Sequence, residues 1–291
     1  MTALLLDGNA AAAAVKAELV DRIAALHERG VTPGLGTLLV GDDGPSARYV
    51  AMKHDDCEEL GIESYGVNLT ADATRADLDA AVDDFNADDR VHACLLQYPF
   101  PNGLPYEPVV LRLRPEKDAD GLHPVNLGRL VMGVDAPVAC TPAGIIELLV
   151  RNDVPIEGRH VVIIGRGLTI GRPLANLLAL KRPHANAAVT VVHTGVADLG
   201  AYTRTADILV AAAGSPGLVT ADMVAPGAVV VAAGVSFEGR KVISDVAGEV
   251  ADVAGWLSPR IGGVGPMTRA MLMVNTVAAA ERAVGIAADS G

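Results

Sequence analysis

The feature that most restricts this chain is a repeated alternation of two kinds of segment. Short, mainly apolar runs at 35–40, 91–96, 160–164, 188–193, 207–212 and 228–232, most of them rich in valine, are separated by longer stretches with helical spacing, among them 46–60 and 74–85. Runs that are apolar throughout, rather than at every second residue, belong to strands covered by helices on both faces. Strand and helix alternating at this pace predict an α/β fold with mostly parallel sheets. A length of 291 residues is enough for two such domains. The boundary is expected near residue 140, because residues 114–142 carry few periodic signals. Thr141 and Pro142 read as the N-cap and first position of a helix running to about Val150. The alanine-rich run 10–14 starts the first helix. The segment 267–280 is helical in pattern and is expected to pack back on the first domain. The expected division is therefore 1–139, completed by a C-terminal helix in 267–291, and 140–266.

Composition narrows the function. Lys plus Arg number 23 against 35 Asp plus Glu, a net charge of −12. That balance argues against general nucleic-acid binding, which needs a basic field, while leaving room for a local basic pocket that holds a phosphate. Cys57, Cys94 and Cys140 form no CxxC pair and no metal-ligand cluster, which fits a reducing compartment without structural zinc. The N-terminus lacks the basic region of a signal peptide, and no apolar run reaches the roughly 18 residues of a membrane span. The expectation is a soluble, cytoplasmic globular enzyme with no membrane partner.

The stretch IIGRGLTIGRP follows the run 160–164 and precedes a helix-like segment, 173–180. Gly165, Gly167 and Gly171 are spaced GxGxxxG, one residue longer than the usual dinucleotide fingerprint. The first glycine permits a tight turn, the second lets a ligand approach the backbone, and the third lets helix and strand pack closely. The helix N-terminus then presents N–H groups to a phosphate. A glycine turn without a ligand is the competing reading. The next strand, VTVVHTG, ends in His193 and Thr194 where NAD binders place a carboxylate for the ribose. With Arg166 in the glycine turn, a cation and a hydroxyl suit the extra phosphate of NADP. The simpler alternative has His193 capping the strand and Arg166 facing water.

In the first domain, SARYVAMKHDDCEELG reads as one helix, with Ser46 as N-cap and Gly61 as its stop. Tyr49 and Lys53 are four residues apart and share a face. Taken alone, they read as a core-edge tyrosine and a solvated lysine. Gln97 stands at the carboxyl end of the run 91–96, where ligand clefts of α/β sheets open, or it binds loop backbone. Asp118 and Asp120 are acids of an Asx-type turn.

In combination these stretches resemble the bifunctional methylenetetrahydrofolate dehydrogenase/methenyltetrahydrofolate cyclohydrolase family. VGDDGPSARYVAMKHDDCEELGI, ACLLQYPFP, PEKDADGLHPVNLGRL, ACTPAG, IIGRGLTIGRP and GGVGPMTRAML follow the family's order over nearly the whole chain. The resemblance implies an N-terminal α/β folate domain, a Rossmann-like NADP domain, a cleft between them, and a homodimer. It implies that Lys53 carries the chemistry with Gln97 beside it. Tyr49 would stack on the pterin or its aromatic extension, and Asp120 would bind the pterin amino edge, with Asp118 as its structural partner. Gly265, Pro266 and Met267 would close the folate pocket. Gly165, Arg166, Gly167, His193 and Thr194 would hold NADP, with Val235 at its nicotinamide end. The substrates would be tetrahydrofolate derivatives of one-carbon metabolism.

The departures from the family pattern fall in the cofactor half. Gly167 stands for a serine, Val196 for a hydroxyl residue, Ala232 for an aspartate and Ile261 for a proline, while the family's G-D-V becomes Ser244-Asp245-Val246. They leave open a second reading on the same fold, chiefly a methenyltetrahydrofolate cyclohydrolase with weak or altered dehydrogenase activity. A folate binder without catalysis would not need Lys53 facing a cation. A shikimate-type dehydrogenase would not carry the KDADG and GGVGPMT stretches.

Overall fold

The computed structural model describes residues 2–41, 44–238 and 241–286. Asp42 and Asp43 of the first signature, and residues 287–291 of the C-terminal segment, lie outside the described residues. Strands are β1 (Leu4–Leu5), β2 (Gly34–Val40), β3 (Glu63–Leu69), β4 (Ala93–Leu96), β5 (His160–Ile164), β6 (Ala188–Val192), β7 (Ile208–Ala211), β8 (Val229–Ala232), β9 (Val235–Glu238), β10 (Lys241–Ser244) and β11 (Trp256–Leu257). Helices are α1 (Gly8–Glu28), α2 (Gly44–Leu60), α3 (Arg75–Ala87), α4 (Tyr106–Val110), α5 (Pro124–Met132), α6 (Cys140–Val150), α7 (Gly171–Ala179), α8 (Leu199–Thr203) and α9 (Val264–Ala283). The chain forms two compact units.

The first unit comprises Ala14–Arg129, Asp135–Cys140 and the chain from Arg269 on. Its sheet has the order β3-β2-β4, all parallel. Side chains alternate across the strands. Leu35, Ala93 and Leu95 join Leu19, Ile23 and Leu26 of α1 and Leu272, Met273 and Val277 of α9 on one face. Leu38, Cys94 and Leu96 join Leu78, Val82 and Phe85 of α3 on the other. With both faces covered, every residue of β2 is buried. Strand β3 was not visible as an apolar run. It is an edge strand in which no residue is fully buried, so its sequence ESYGVNL carries polar groups.

The second unit comprises the segment ending at Ala13, Leu130–Val134 and Thr141–Thr268. Its parallel sheet has the order β1-β11-β8-β7-β5-β6. The chain crosses from β5 to β6 on one side and returns to β7 on the other, so the strand order reverses at β5. In open α/β sheets a ligand binds at the carboxyl end beside that reversal. The antiparallel hairpin β9–β10 follows β8.

Four local expectations need correction. Helix α2 begins at Gly44, which puts Ser46 inside its first turn. Its end is as expected: Gly61 has φ +71°, and the Ile62 N–H reaches the Cys57 carbonyl at 2.9 Å. Helix α6 begins at Cys140, so Thr141 is not its N-cap, and the Thr141 hydroxyl instead pairs with the Thr268 hydroxyl at 3.0 Å. The loop-like stretch 114–142 contains α5, whose short length hides its period. Residues 2–13, expected in the first domain, belong to the second unit because β1 pairs with β11 and Gly8 packs on Gly263, whose carbonyl oxygen would lie 1.7 Å from an added Cβ.

Candidate active site

Lys53 lies on the inner face of α2, between Val50 and Cys57, and is 5 % exposed. Its burial overturns the solvated reading. Its amine donates to Gln97 Oε1 at 3.0 Å and stands 4.6 Å from the centre of the Tyr49 ring. Gln97 extends β4 beyond its last named residue, with its N–H on the Leu38 carbonyl at 2.9 Å. Its amide Nε2 donates to the Tyr98 carbonyl at 3.1 Å. That second bond fixes which way the amide points, so its oxygen faces the lysine. Gln97 therefore binds loop backbone, the simpler of its two readings, and also stands beside the Lys53 amine.

The KDADG segment runs beside β4, bridged in parallel at Cys94 and Asp118, with the Ala119 N–H on the Cys94 carbonyl at 3.0 Å. This register brings Asp120 near Lys53. The two acids then divide. Asp118 is 4 % exposed and accepts from the Leu122 N–H, the His123 N–H and Asn126 Nδ2 at 3.3, 2.8 and 2.9 Å. It is a structural group that folds the loop. Asp120 is partly exposed, and burial raises its pKa to about 6 against the pull of the Lys53 charge. Burial likewise lowers the Lys53 pKa, opposed by the charge of Asp120. An acid pushed up beside a lysine pushed down is the pattern that marks candidate proton-transfer groups.

A second buried lysine shows what a structural one looks like here. Lys117 donates to the carbonyls of Phe85, Asn86 and Asp88 at 2.8, 3.2 and 2.9 Å, closing the end of α3. Lys53 has a single hydrogen-bond acceptor among the described residues. Its remaining valences are available to a substrate.

In the second unit, the glycine turn follows β5. Gly165 has φ +129°, and an added Cβ would lie 2.1 Å from the Ala212 carbonyl oxygen. A Cβ on Gly171 would lie 2.2 Å from the Gly165 oxygen. These two glycines allow the strand–turn–helix to close. A Cβ on Gly167 would meet nothing within 4 Å, so that backbone is open to an approaching group. Arg166 is exposed on the same turn, and His193 and Thr194 follow β6. The His193 ring nitrogen Nδ1 accepts from the Gly195 N–H at 3.1 Å, which also fits the capping reading. The cradle, the helix start and the cation together fit a dinucleotide phosphate.

Val235 begins β9 and is exposed. Behind it lies a residue to which the sequence reading assigned no role. Asp245 is fully buried and accepts from the Ala213 and Gly214 N–H groups at 2.7 and 2.9 Å. Its Oδ2 occupies the space a Cβ on Gly234 would need, only 1.9 Å away. The carboxylate absent at Ala232 is thus no loss of order, because Asp245 pins the loops after β7 and β8. A carboxylate between apolar Val242 and Ile243 on one side and Val246 on the other was the available signal. Asp245→Ala is expected to cost about 1–2 kcal/mol, since it leaves the part-buried Ala213 and Gly214 N–H groups without their acceptor. Urea denaturation checks this, and an unchanged midpoint would sink it.

Gly265, Pro266 and Met267 form the first turn of α9. Gly265 is exposed, but Met267 is fully buried and faces Gly144 of α6, where an added Cβ would come within 3.0 Å of it. The Met267 side chain is therefore core and not an open lining group. All three cysteines are free and buried. Burial pushes the Cys57 thiol up to about 12, so it is not a nucleophile. No helix among the described residues is long and apolar enough to cross a membrane.

A parallel α/β unit with a glycine turn at its strand-order reversal, joined in one chain to a unit holding a buried lysine, defines a two-domain dinucleotide-dependent enzyme. Comparison with known proteins narrows this. Residues 6–120 match the tetrahydrofolate dehydrogenase/cyclohydrolase catalytic domain, and residues 139–284 match the NAD(P)-binding domain of the same family. The chain belongs to the tetrahydrofolate dehydrogenase/cyclohydrolase family. The bifunctional protein FolD of Syntrophotalea carbinolica is 57 % identical over 281 residues, 97 % of each chain. The FolD methylenetetrahydrofolate dehydrogenase/cyclohydrolase of Campylobacter jejuni superposes with a TM-score of 0.90 at 39 % identity, covering 96 % of this chain and 98 % of that one. The Trypanosoma brucei enzyme, solved with NADP and an inhibitor, superposes with a TM-score of 0.91 at 36 % identity, covering 98 % and 99 %.

Proposed function

We propose that this enzyme oxidises 5,10-methylenetetrahydrofolate with NADP and hydrolyses the 5,10-methenyl product to 10-formyltetrahydrofolate. The first unit is the folate and proton-transfer domain, and the second is the NADP domain. The observation that carries the hydrolytic step is Lys53, 5 % exposed, with one directed partner at 3.0 Å. When bound, NADP supplies the acceptor for the hydride that leaves the one-carbon bridge. Gly165, Gly167 and the start of α7 would hold its pyrophosphate, Arg166 and Thr194 its extra phosphate with His193 beside them, and Val235 its nicotinamide end.

The methenyl bridge is a cation, and a cation beside Lys53 disfavours the ammonium form further. Neutral Lys53 takes a proton from the water that adds to the bridging carbon. The ammonium then returns that proton to the ring nitrogen as the carbon–nitrogen bond breaks, and the hydroxyl proton left on the former water passes to the freed amine and on to solvent as the formyl carbonyl forms, so one proton is released overall. Gln97 aims the amine. Tyr49 presents its ring to the pterin or its aromatic extension, and Asp120, ionised near neutral pH, accepts from the pterin amino edge. The reading includes a cytoplasmic homodimer, supported by the family resemblance and by three unpaired cysteines.

Turnover of 5,10-methylenetetrahydrofolate, followed through both reduced nicotinamide and methenyl absorbance, tests the reading. NADP is expected to sustain turnover at a higher kcat/KM than NAD, with little methenyl build-up. Hydrolysis of added methenyl substrate with no nicotinamide reduction by either cofactor would instead favour a cyclohydrolase alone.

A further inference from the structure

The α2 helix carries a charged cluster one turn beyond Lys53. Asp56 is 3 % exposed. Lys16 of α1 reaches its Oδ1 at 2.5 Å, and Arg269 of α9 stands 3.0 Å from its Oδ2. The same Arg269 nitrogen, Nη1, donates to the Met52 carbonyl at 3.2 Å. Met52 immediately precedes Lys53, and its carbonyl already serves the helical ladder of α2. A second donor on that carbonyl restrains the backbone at the point where the lysine departs.

Helix packing alone does not account for such a cluster. Desolvating an acid and two cations is costly, and apolar residues of similar volume hold three helices together as well or better. What apolar residues cannot supply is a directed donor at Met52 and a fixed positive charge near Lys53. We propose that Arg269 is a positioning residue for the proton-transfer lysine: it clamps the α2 backbone at Met52 and holds a positive charge near Lys53, with the Asp56 carboxylate paired to the guanidinium by charge. The proposal rests on the reading of Lys53 as the hydrolytic base.

The charged and titratable groups around Lys53 fix the direction of the effect. Asp120 comes from the KDADG segment, Cys140 from the head of α6, Arg269 from α9, and Tyr49 and His54 from α2 itself. Asp120 favours the ammonium, as does the face of the Tyr49 ring. Cys140 is held neutral by its own burial and contributes no charge near pH 7. Arg269 disfavours the ammonium, as burial does, and His54, with its own pKa lowered by burial, is mainly neutral there. Removing the guanidinium therefore raises the Lys53 pKa and shrinks the neutral fraction at pH 7.

The test is the pH profile of methenyl hydrolysis by the full-length enzyme, corrected for spontaneous hydrolysis, in Arg269→Gln and Arg269→Lys. In Arg269→Gln the limb that rises with pH is expected to move up by about one unit. Activity at pH 7 then falls about tenfold in kcat with little change in KM. Arg269→Lys, which keeps the charge, is expected to restore the limb to within a few tenths of a unit. An unshifted limb in Arg269→Gln, with both activities falling together alongside the thermal midpoint, would make Arg269 merely structural. Lys53→Met, assayed in parallel, separates the two ideas. If it abolishes hydrolysis while the Arg269→Gln limb stays put, only the positioning role fails; if it leaves hydrolysis intact, the base itself is wrong and this proposal falls with it.

Discussion

Lys53→Met is expected to lower methenyl hydrolysis by about 10²- to 10⁴-fold, the range of a positioned general base. Nicotinamide reduction is expected to fall much less, because the cofactor accepts the hydride and the protein there mainly aligns two partners. Methionine fits the place. It is unbranched and apolar, and the position is 5 % exposed. The substitution removes a desolvated amine and leaves only the half-buried Gln97 oxygen without its donor. The thermal midpoint should therefore hold or rise, which separates lost chemistry from lost folding. The measurement is paired: hydrolysis of added methenyl substrate and reduction of NADP on one preparation. Equal losses in both activities would point to substrate binding as the lysine's role, and undiminished hydrolysis would remove Lys53 from the mechanism.

Gly165→Ala should do the reverse and strike the dehydrogenase. Two costs fall on one methyl group. The backbone there has φ +129°, which an L side chain rarely adopts, and the new Cβ would lie 2.1 Å from the Ala212 carbonyl oxygen. The clash is with backbone, so no rotamer change relieves it. Strain and overpacking together are expected to cost about 2–6 kcal/mol. The loops after β5 and β7 must separate, and NADP-dependent oxidation should fall by at least about 30-fold if that loss appears in cofactor binding. Methenyl hydrolysis should survive, because Lys53, Gln97 and Asp120 belong to the other unit. Gly167→Ala is the matched control for folding, since its Cβ would meet nothing within 4 Å. Urea denaturation of both variants, beside the two activity assays, decides the point. A Gly165→Ala enzyme with full dehydrogenase activity would show that the turn does not shape the cofactor site.

The architecture was legible wherever strands are buried on both faces. β5 was read to its exact limits, and β2, β4, β6, β7 and β8 to within one or two residues, because doubly covered strands must be apolar throughout. What escaped was pairing that leaves no hydrophobic signature. β3 is half-exposed at an edge, β1 and β11 are two residues each, and β9–β10 is a hairpin outside the main sheets. Two helix starts were misplaced because a hydroxyl residue near a helix start resembles an N-cap whether or not it caps.

The site divides in the same way. The chemical types were written in the chain: the glycines of the turn, the lysine with its tyrosine one turn earlier, the acids of KDADG, and the motif order that identified the family. Local sequence constrains these because turn geometry and helical spacing act over a few residues. The states of the groups came from packing. Burial lowers the Lys53 pKa, and burial depends on which segments pack against α2. Asp118 and Asp120, two residues apart, differ because one meets three donors and the other faces the lysine. Met267 turned inward against Gly144. Asp245 and Arg269 reach loops and helices that the chain order keeps far from them. Desolvation and long-range hydrogen bonds are properties of which segments meet, and only the folded sheet order brings residues 53, 97, 120 and 269 together.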